Sequence, residues 1–371
     1  MRYFFHFICF CIIHTLCLLF VIKMFISEFL PAVIPVFGVG LVRFVNGLCT
    51  GYGNLAGTCY TRRQCRNANG VASTGCARSI GVCCVITRTC GQSSQINNTY
   101  FVSPGFPTAY SGAGVCTFTI QKIDADVCQV RIDFLTLRLA QPNTSGSCIT
   151  DALVITGGAS TVPILCGENS GQHMYVDFNG NTNIVISIGT TGAIGRAWNI
   201  KVTQINCNCP TKAPSGCLQY FNRTTGTVTS FNYGLAATQG GTRQLANQNY
   251  GVCIAMIRGY CGITWSQTNT LSFGVSGDTY TAIGDNSVGT ITAEMFGVNC
   301  LTDFIVIPSP VLTNPSFNTD RFCGNGFATV TSNSKPFVLT VVTDANELND
   351  MGNVGFSLNY AQTRCPVITT T

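Results

Sequence analysis

The stretch CITDALVI, residues 148–155, returns as CLTDFIVI at residues 300–307. Each copy begins with a cysteine, carries a Thr-Asp pair and runs into apolar, β-branched residues. The likeness extends outward in matching order. GVC at 114–116 answers GVC at 251–253, LCG at 165–167 answers FCG at 322–324, and WNIKVTQINC (198–207) answers GFSLNYAQTRC (355–365). Internal repetition with cysteines in step is the mark of tandem domains. Each repeat is long enough, at roughly 120–150 residues, to bury a core of its own.

The runs between these landmarks read as strands. CTFTIQKI, CQVRIDFLTLRL, DALVITG, MYVDFNG and NIVISIG alternate or run apolar in the first repeat; CIAMI, TLSFGV, DFIVIP and PFVLTVVT follow in the second. Gly, Asn, Pro and Ser clusters punctuate them, and no amphipathic helix is legible after the leader. The expected fold is all-β: two tandem antiparallel β-sandwiches behind a small cysteine-rich segment.

Composition sets the compartment. The 371 residues include 22 Cys and only 9% charged residues. Metal cages that mix Cys with His have little to work with, since the histidines are His6, His14 and His173 alone. Disulfides are therefore expected, and with them an oxidising environment. The opening MRYFFHFICFCIIHTLCLLFVIKMF has an early positive charge, then an apolar run to Ile22 and Lys23. This is a secretory leader pattern, taken as residues 1–27 with cleavage between roughly residues 20 and 40. A membrane anchor is the alternative reading of such a run. Sequons at Asn97, Asn143 and Asn222 fit secretion and mark expected glycosylation sites. The net charge of +5 is dispersed, with no basic stripe of the kind nucleic acid requires.

Without Cys9, Cys11 and Cys17 of the leader, nineteen cysteines remain. Cys49, Cys59, Cys65, Cys76, Cys83 and Cys84 form a first set. Cys90, Cys116, Cys128, Cys148, Cys166 and Cys207 form a second, and Cys217, Cys253, Cys261, Cys300, Cys323 and Cys365 a third. Cys209 is left over, a candidate for an intermolecular bond or a free thiol. Adjacent Cys83 and Cys84 in GVCCV rarely bond to each other, because a disulfide wants Cα atoms roughly 4.4–6.8 Å apart. They are expected to face different partners and tie a knot. A segment so short needs covalent bridges to hold it.

The second set resembles a CUB domain on Cys90, SPGFPTAY (103–110), Cys116, DFLTL (133–137), CITD (148–151) and LCG (165–167). The resemblance implies Cys90–Cys116 and Cys148–Cys166. Cys128 and Cys207 exceed the usual four and are left to pair with each other. The third set resembles a divergent CUB domain, without an SPGFP stretch, implying Cys217–Cys253 and Cys300–Cys323 with Cys261–Cys365 as the matching extra bridge. QLANQNYGVCI, GYCGITWS and DRFCG resemble arthropod secreted CUB proteins. GTCYTRRQC, GCA and GVCC resemble a clip-like knot, which implies Cys49–Cys83, Cys59–Cys76 and Cys65–Cys84; six cysteines alone allow 15 pairings. The implied layout is a clip-like domain at 45–86, a CUB domain at 90–207 and a divergent one at 217–365.

Catalytic chemistry is hard to find. A serine-protease triad needs a histidine, and His173, in GQHMYVDF, reads as a turn or strand-start residue. No Gly-x-Ser-x-Gly, HExxH or Gly-rich phosphate loop is present. Some CUB domains bind Ca²⁺ through a Glu and two Asp. In the first repeat Asp151 fits the middle position, but Arg138 stands where the Glu should, and the last position falls near residues 189–191. In the second repeat Asp303 and Asp344 fit, with Glu294 a loose third, so calcium is a candidate ligand there. Arg62 and Arg63 read as an exposed pair on the knot rather than a processing site. Tyr52, Tyr60, Phe106 and Tyr110 could form a contact surface or belong to the core.

The expectation is a secreted, non-enzymatic binding protein that recognises extracellular protein or glycan. The alternatives are a non-catalytic cofactor or inhibitor of an extracellular protease cascade, or a component of cuticle or matrix.

Overall fold

A computed structural model describes residues 32–36, 39–44, 46–235, 241–277, 285–311, 319–347 and 352–366. The leader, with His6, His14, Cys9, Cys11 and Cys17, lies outside the described residues. Among them, no helix is long and apolar enough to cross a membrane. The chain divides into two compact units, Met1–Thr87 with Asn97–Thr99, and Arg88–Ile96 with Tyr100–Thr371.

The first unit holds a β1–β2 hairpin (Ala32–Val36 and Val39–Arg43). Behind it come β3 (Leu48–Thr50), β4 (Ala56–Tyr60), helix α1 (Arg62–Asn67), β5 (Val71–Cys76) and β6 (Gly81–Arg88). β6 lies between β4 and β5, and β3 flanks β4. The helix was not legible in the sequence. Thr61 starts it: its hydroxyl accepts from the Gln64 N–H while the Gln64 carboxamide accepts from the Thr61 N–H, a reciprocal capping box. The knot is closed by Cys49–Cys83, Cys59–Cys76 and Cys65–Cys84. Cys83 and Cys84, neighbours on a strand, point to opposite faces of it, and so reach different partners.

The second unit holds both repeats. The first comprises β7 (Gln92–Ser94), β8 (Thr99–Val102), β9 (Gly114–Ile120), β10 (Val127–Arg138), β11 (Asp151–Thr156), β12 (His173–Asp177), β13 (Ile184–Thr190) and β14 (Ala197–Asn206). One layer orders as β12–β10–β14–β8, the other as β11–β13–β9–β7. Burial alternates residue by residue along β13 and most of β14, as strands packed on one face demand. Trp198, Phe101 and Phe118 meet in the middle, with Phe101 and Phe118 stacked at 5.2 Å.

The second repeat follows with β15 (Cys217–Phe221), β16 (Thr225–Thr229), β17 (Asn249–Ile254), β18 (Tyr260–Gln267), β19 (Phe273–Gly274), β20 (Glu294–Phe296), β21 (Phe304–Val306), β22 (Pro310–Val311), β23 (Arg321–Gly324), β24 (Val330–Ser332), β25 (Phe337–Val342) and β26 (Gly355–Arg364). Its layers are β15–β17–β25–β21–β23–β20 and β16–β26–β18–β24–β22, with β19 on β26. The two repeats share an unusual opening. Each begins with a strand parallel to its neighbour, β7 on β9 and β15 on β17. A disulfide stands at each opening, Cys90–Cys116 and Cys217–Cys253. The Gly of the second GVC is demanded by this contact, since a Cβ on Gly251 would lie 2.6 Å from the Gly216 carbonyl oxygen. Cys128–Cys207 and Cys148–Cys166 complete the first repeat, Cys261–Cys365 and Cys300–Cys323 the second. Buried apolar residues of both repeats form one continuous cluster.

Candidate functional site

Residues 207–216 connect the two repeats and bring β12 of the first against β15 of the second. Gln129 holds the connection in place. Its Nε2 donates to the Ala213 carbonyl at 3.1 Å and its Oε1 accepts the Ala213 N–H at 2.8 Å, so one buried carboxamide satisfies both backbone polar groups of Ala213. Beside it, His173 opens β12, buried, with Nε2 3.0 Å from the Tyr220 carbonyl oxygen. The His173 ring meets Tyr175 and Phe221 edge-on. Burial, and then the Arg131 charge, push its pKa down to about 4 against the opposing pull of Tyr220 and Asp133. The ring is therefore neutral at pH 7: a packing and hydrogen-bonding group between modules.

Further along the junction a polar network is buried. The Asn232 N–H donates to Asn169 Oδ1 at 2.8 Å, Asn232 Oδ1 accepts the Glu168 N–H at 2.9 Å, and Asn232 Nδ2 donates to Gln141 and to the Arg243 carbonyl. Gln172 adds bonds to Thr229 and the Ser230 carbonyl. Gly167, at φ +76°, faces this network; a Cβ there would lie 2.1 Å from Asn232 Oδ1. A buried network of this kind, in which Gln172 Oε1 is left without a partner, favours one relative arrangement of its parts.

A cleft of about 290 Å³ opens at the same junction. Buried Tyr175 and Leu218 line its inner part, and exposed Ser160, Thr161 and Asn249 its rim, with Asp177 beside them.

The candidate calcium residues each have protein partners. Asp151 is fully buried and paired with equally buried Arg196. The guanidinium holds both carboxylate oxygens, at 2.7 and 2.8 Å. It also donates to the carbonyls of Thr191, Gly192 and Ile194. The Asp151 contact raises the Arg196 pKa, chiefly through its hydrogen bonds. Arg138 forms an exposed pair with Glu168 at 3.1 Å. In the second repeat, Asp303 Oδ1 accepts the Asp344 N–H at 2.7 Å, and the Asp344 carboxylate accepts the Asn346 N–H. Glu294 accepts the Ala328 N–H, and burial raises its pKa. Among the described residues, no three acidic, His or Cys side chains converge in a way that would hold a metal ion.

Other singled-out residues are dispersed. Cys209 is a free, partly buried thiol near Tyr175 and Tyr220, its pKa lowered by hydrogen bonding to Thr211. Asn222 is exposed and Asn97 partly so, while Asn143 Oδ1 accepts the Ser145 and Ser147 N–H groups in a turn. Arg62 and Arg63 are exposed on α1. Tyr52 is exposed in the first unit, Tyr60 and Phe106 are partly buried, and Tyr110 packs edge-on against Trp198.

The sandwiches, their parallel opening strands and their cysteine bridges carry a family signature. The model of the CUB domain matches residues 90–196, and that of the animal CUB domain matches residues 214–363. The chain carries two tandem CUB domains. Such domains are non-catalytic binding modules typical of extracellular proteins. Among curated proteins no sequence matches the chain. Similar solved structures include the CUB1-EGF-CUB2 domains of rat MASP-1, with 13% identity over 74% of this chain and 99% of that one at a TM-score of 0.26. Human MASP-1/3 CUB1-EGF-CUB2 gives 14% identity, 71% and 98% coverage and 0.25. The full extracellular region of zebrafish Gpr126/Adgrg6 gives 13% identity, 76% and 37% coverage and 0.25.

The sequence pointed to Asp151 but not to Arg196, and to His173 only as a strand start. Gln129, Gly167 and Asn232 went unnoticed. The available signals were a lone Arg in GAIGRAW and polar residues placed where strands should be apolar.

Proposed function

We propose that the chain is a secreted, non-enzymatic binding protein in which the two CUB modules work as one rigid recognition unit for an extracellular protein or glycan. The observation that carries this reading is the junction: a buried network through Asn232 and the Gln129–Ala213 pair restrain the modules, and a cleft opens between them. Preorganisation of this sort favours binding because little order must be imposed when the ligand arrives. The knot, read as clip-like, is a docking or regulatory module in this scheme. The arthropod resemblance belongs to the same reading.

Affinity capture from native extracellular fluid under non-reducing conditions tests it. An extracellular protein or glycan should be retained by the tandem CUB modules. Failure to retain either, or turnover of a retained molecule by the pure chain, would overturn the proposal. A protease as the main partner would direct the reading to cascade regulation, and retention on chitin to cuticle or matrix.

A further inference from the structure

The cleft between the modules is amphipathic and nearly uncharged. Among its described lining residues Asp177 is the one that bears a formal charge. Its Oδ1 accepts Gln129 Nε2 at 2.8 Å, a neutral donor, so no cation neutralises it there. On the same strand as Gln129, the Arg131 guanidinium is committed to Asp133 and to the Tyr175 hydroxyl. An anionic ligand would therefore meet a carboxylate with no compensating charge, which costs affinity. The polar rim offers hydroxyls from Ser160 and Thr161 and a carboxamide from Asn249, all exposed. The inner wall, with Leu218 and the Tyr175 ring, is apolar and nearly buried.

Few ligand classes share that division of surface. A helix or a large apolar side chain would leave the rim donors and acceptors unused, and desolvated polar groups without partners are penalised. A pyranose ring has an apolar C–H face and a circumference of neutral hydroxyls. Its face suits the inner wall, and its hydroxyls suit a carboxylate and a carboxamide, each able to engage vicinal hydroxyls with two atoms. The opening of about 290 Å³ is of saccharide size. We propose that the inter-module cleft binds a neutral saccharide through Asp177, Asn249, Ser160 and Thr161. This inference rests on the reading of the chain as an extracellular binding protein and assigns the site and the ligand class.

The test uses the full secreted chain and isothermal titration with neutral tetrasaccharides of gluco, manno and N-acetylgluco configuration. A heparin-derived tetrasaccharide serves as the anionic comparison. At least one neutral tetrasaccharide should bind, and heparin should not. Thr161→Trp, a substitution at an exposed rim position, should fill the cleft and abolish binding. Asp177→Asn keeps the oxygen that accepts from Gln129 but removes the charge, and should weaken binding at least tenfold. Circular dichroism of the variants should match the parent; Ser160→Trp substitutes for Thr161→Trp if the latter misfolds. Absence of neutral-saccharide binding, preference for heparin, or binding unchanged in both variants would overturn the inference. Protein capture by a chain that binds no tetrasaccharide would sink the saccharide site and leave the proposed function standing. A chain that captures neither would lose both.

Discussion

Replacing Asp151 by Ala should be among the most damaging single changes in the first CUB module. The carboxylate lies fully buried against a fully buried guanidinium, held at 2.7 and 2.8 Å. Its Oδ2 also accepts the Ala140 N–H at 2.7 Å. Removing one partner of a buried pair leaves the other charge uncompensated, at a cost of about 3–5 kcal/mol. An Ala140 N–H without its acceptor adds about 1 kcal/mol. At about 2–4 °C per kcal/mol for a cooperative unit of this size, the melting temperature should fall by roughly 10–20 °C. The assay is thermal unfolding followed by near-ultraviolet circular dichroism, with disulfides intact. The double change Asp151→Leu with Arg196→Met removes both charges and keeps volume, so it should recover the part of the loss due to the uncompensated charge, but not the part due to the Ala140 N–H and the Thr191, Gly192 and Ile194 carbonyls left without partners. A drop of under about 3 °C for Asp151→Ala, or a double variant no better than the single, would refute the claim that the buried charge pair secures this end of the module.

Three further outcomes follow from the same geometry. His173 has a folded pKa of about 4 against 6.5 when unfolded, so between those values the unfolded chain binds more protons. Stability is complete above about pH 6.5 and should decline as the pH falls to 4, by about 3 kcal/mol in total. The groups facing the ring are Arg131, Asp133, Tyr175 and Tyr220, and His173→Phe should flatten that part of the stability curve. Gly167→Ala, at positive φ and against Asn232, should loosen the junction, costing at least about 1 kcal/mol and admitting protease to residues 207–216. Millimolar Ca²⁺ against chelator should leave the melting temperature of the whole chain unchanged, because among the described residues no three acidic side chains converge, as several carboxylate oxygens must to hold the cation. A calcium-dependent rise abolished by Asp344→Ala would show a site in the second repeat after all.

The sequence alone determined the class of the fold. Period-two alternation in runs such as NIVISIG is local: it specifies a strand and its buried face without reference to any distant residue. Internal likeness of CITDALVI and CLTDFIVI likewise shows two modules of one kind. Local rules also blurred at the ends of elements. CIAMI reads as a strand through Ile257, yet β17 stops at Ile254, and the six-residue helix at Arg62 is too short for any apolar period to show.

What only the tertiary structure decided lies in pairings across distance. Asp151 was visible as an acid after a cysteine, but its charge is balanced by Arg196, 45 residues on, where a loop turns back over the end of the sandwich. Gln129 and Ala213 are 84 residues apart, and Asn169 and Asn232 are 63 apart. No spacing rule connects such residues, because the module junction exists only once each sandwich has closed and presents its sheet edge. His173 shows the same division. Its place at a strand start is written in the sequence, whereas its neutral, buried state depends on the second module arriving to desolvate it.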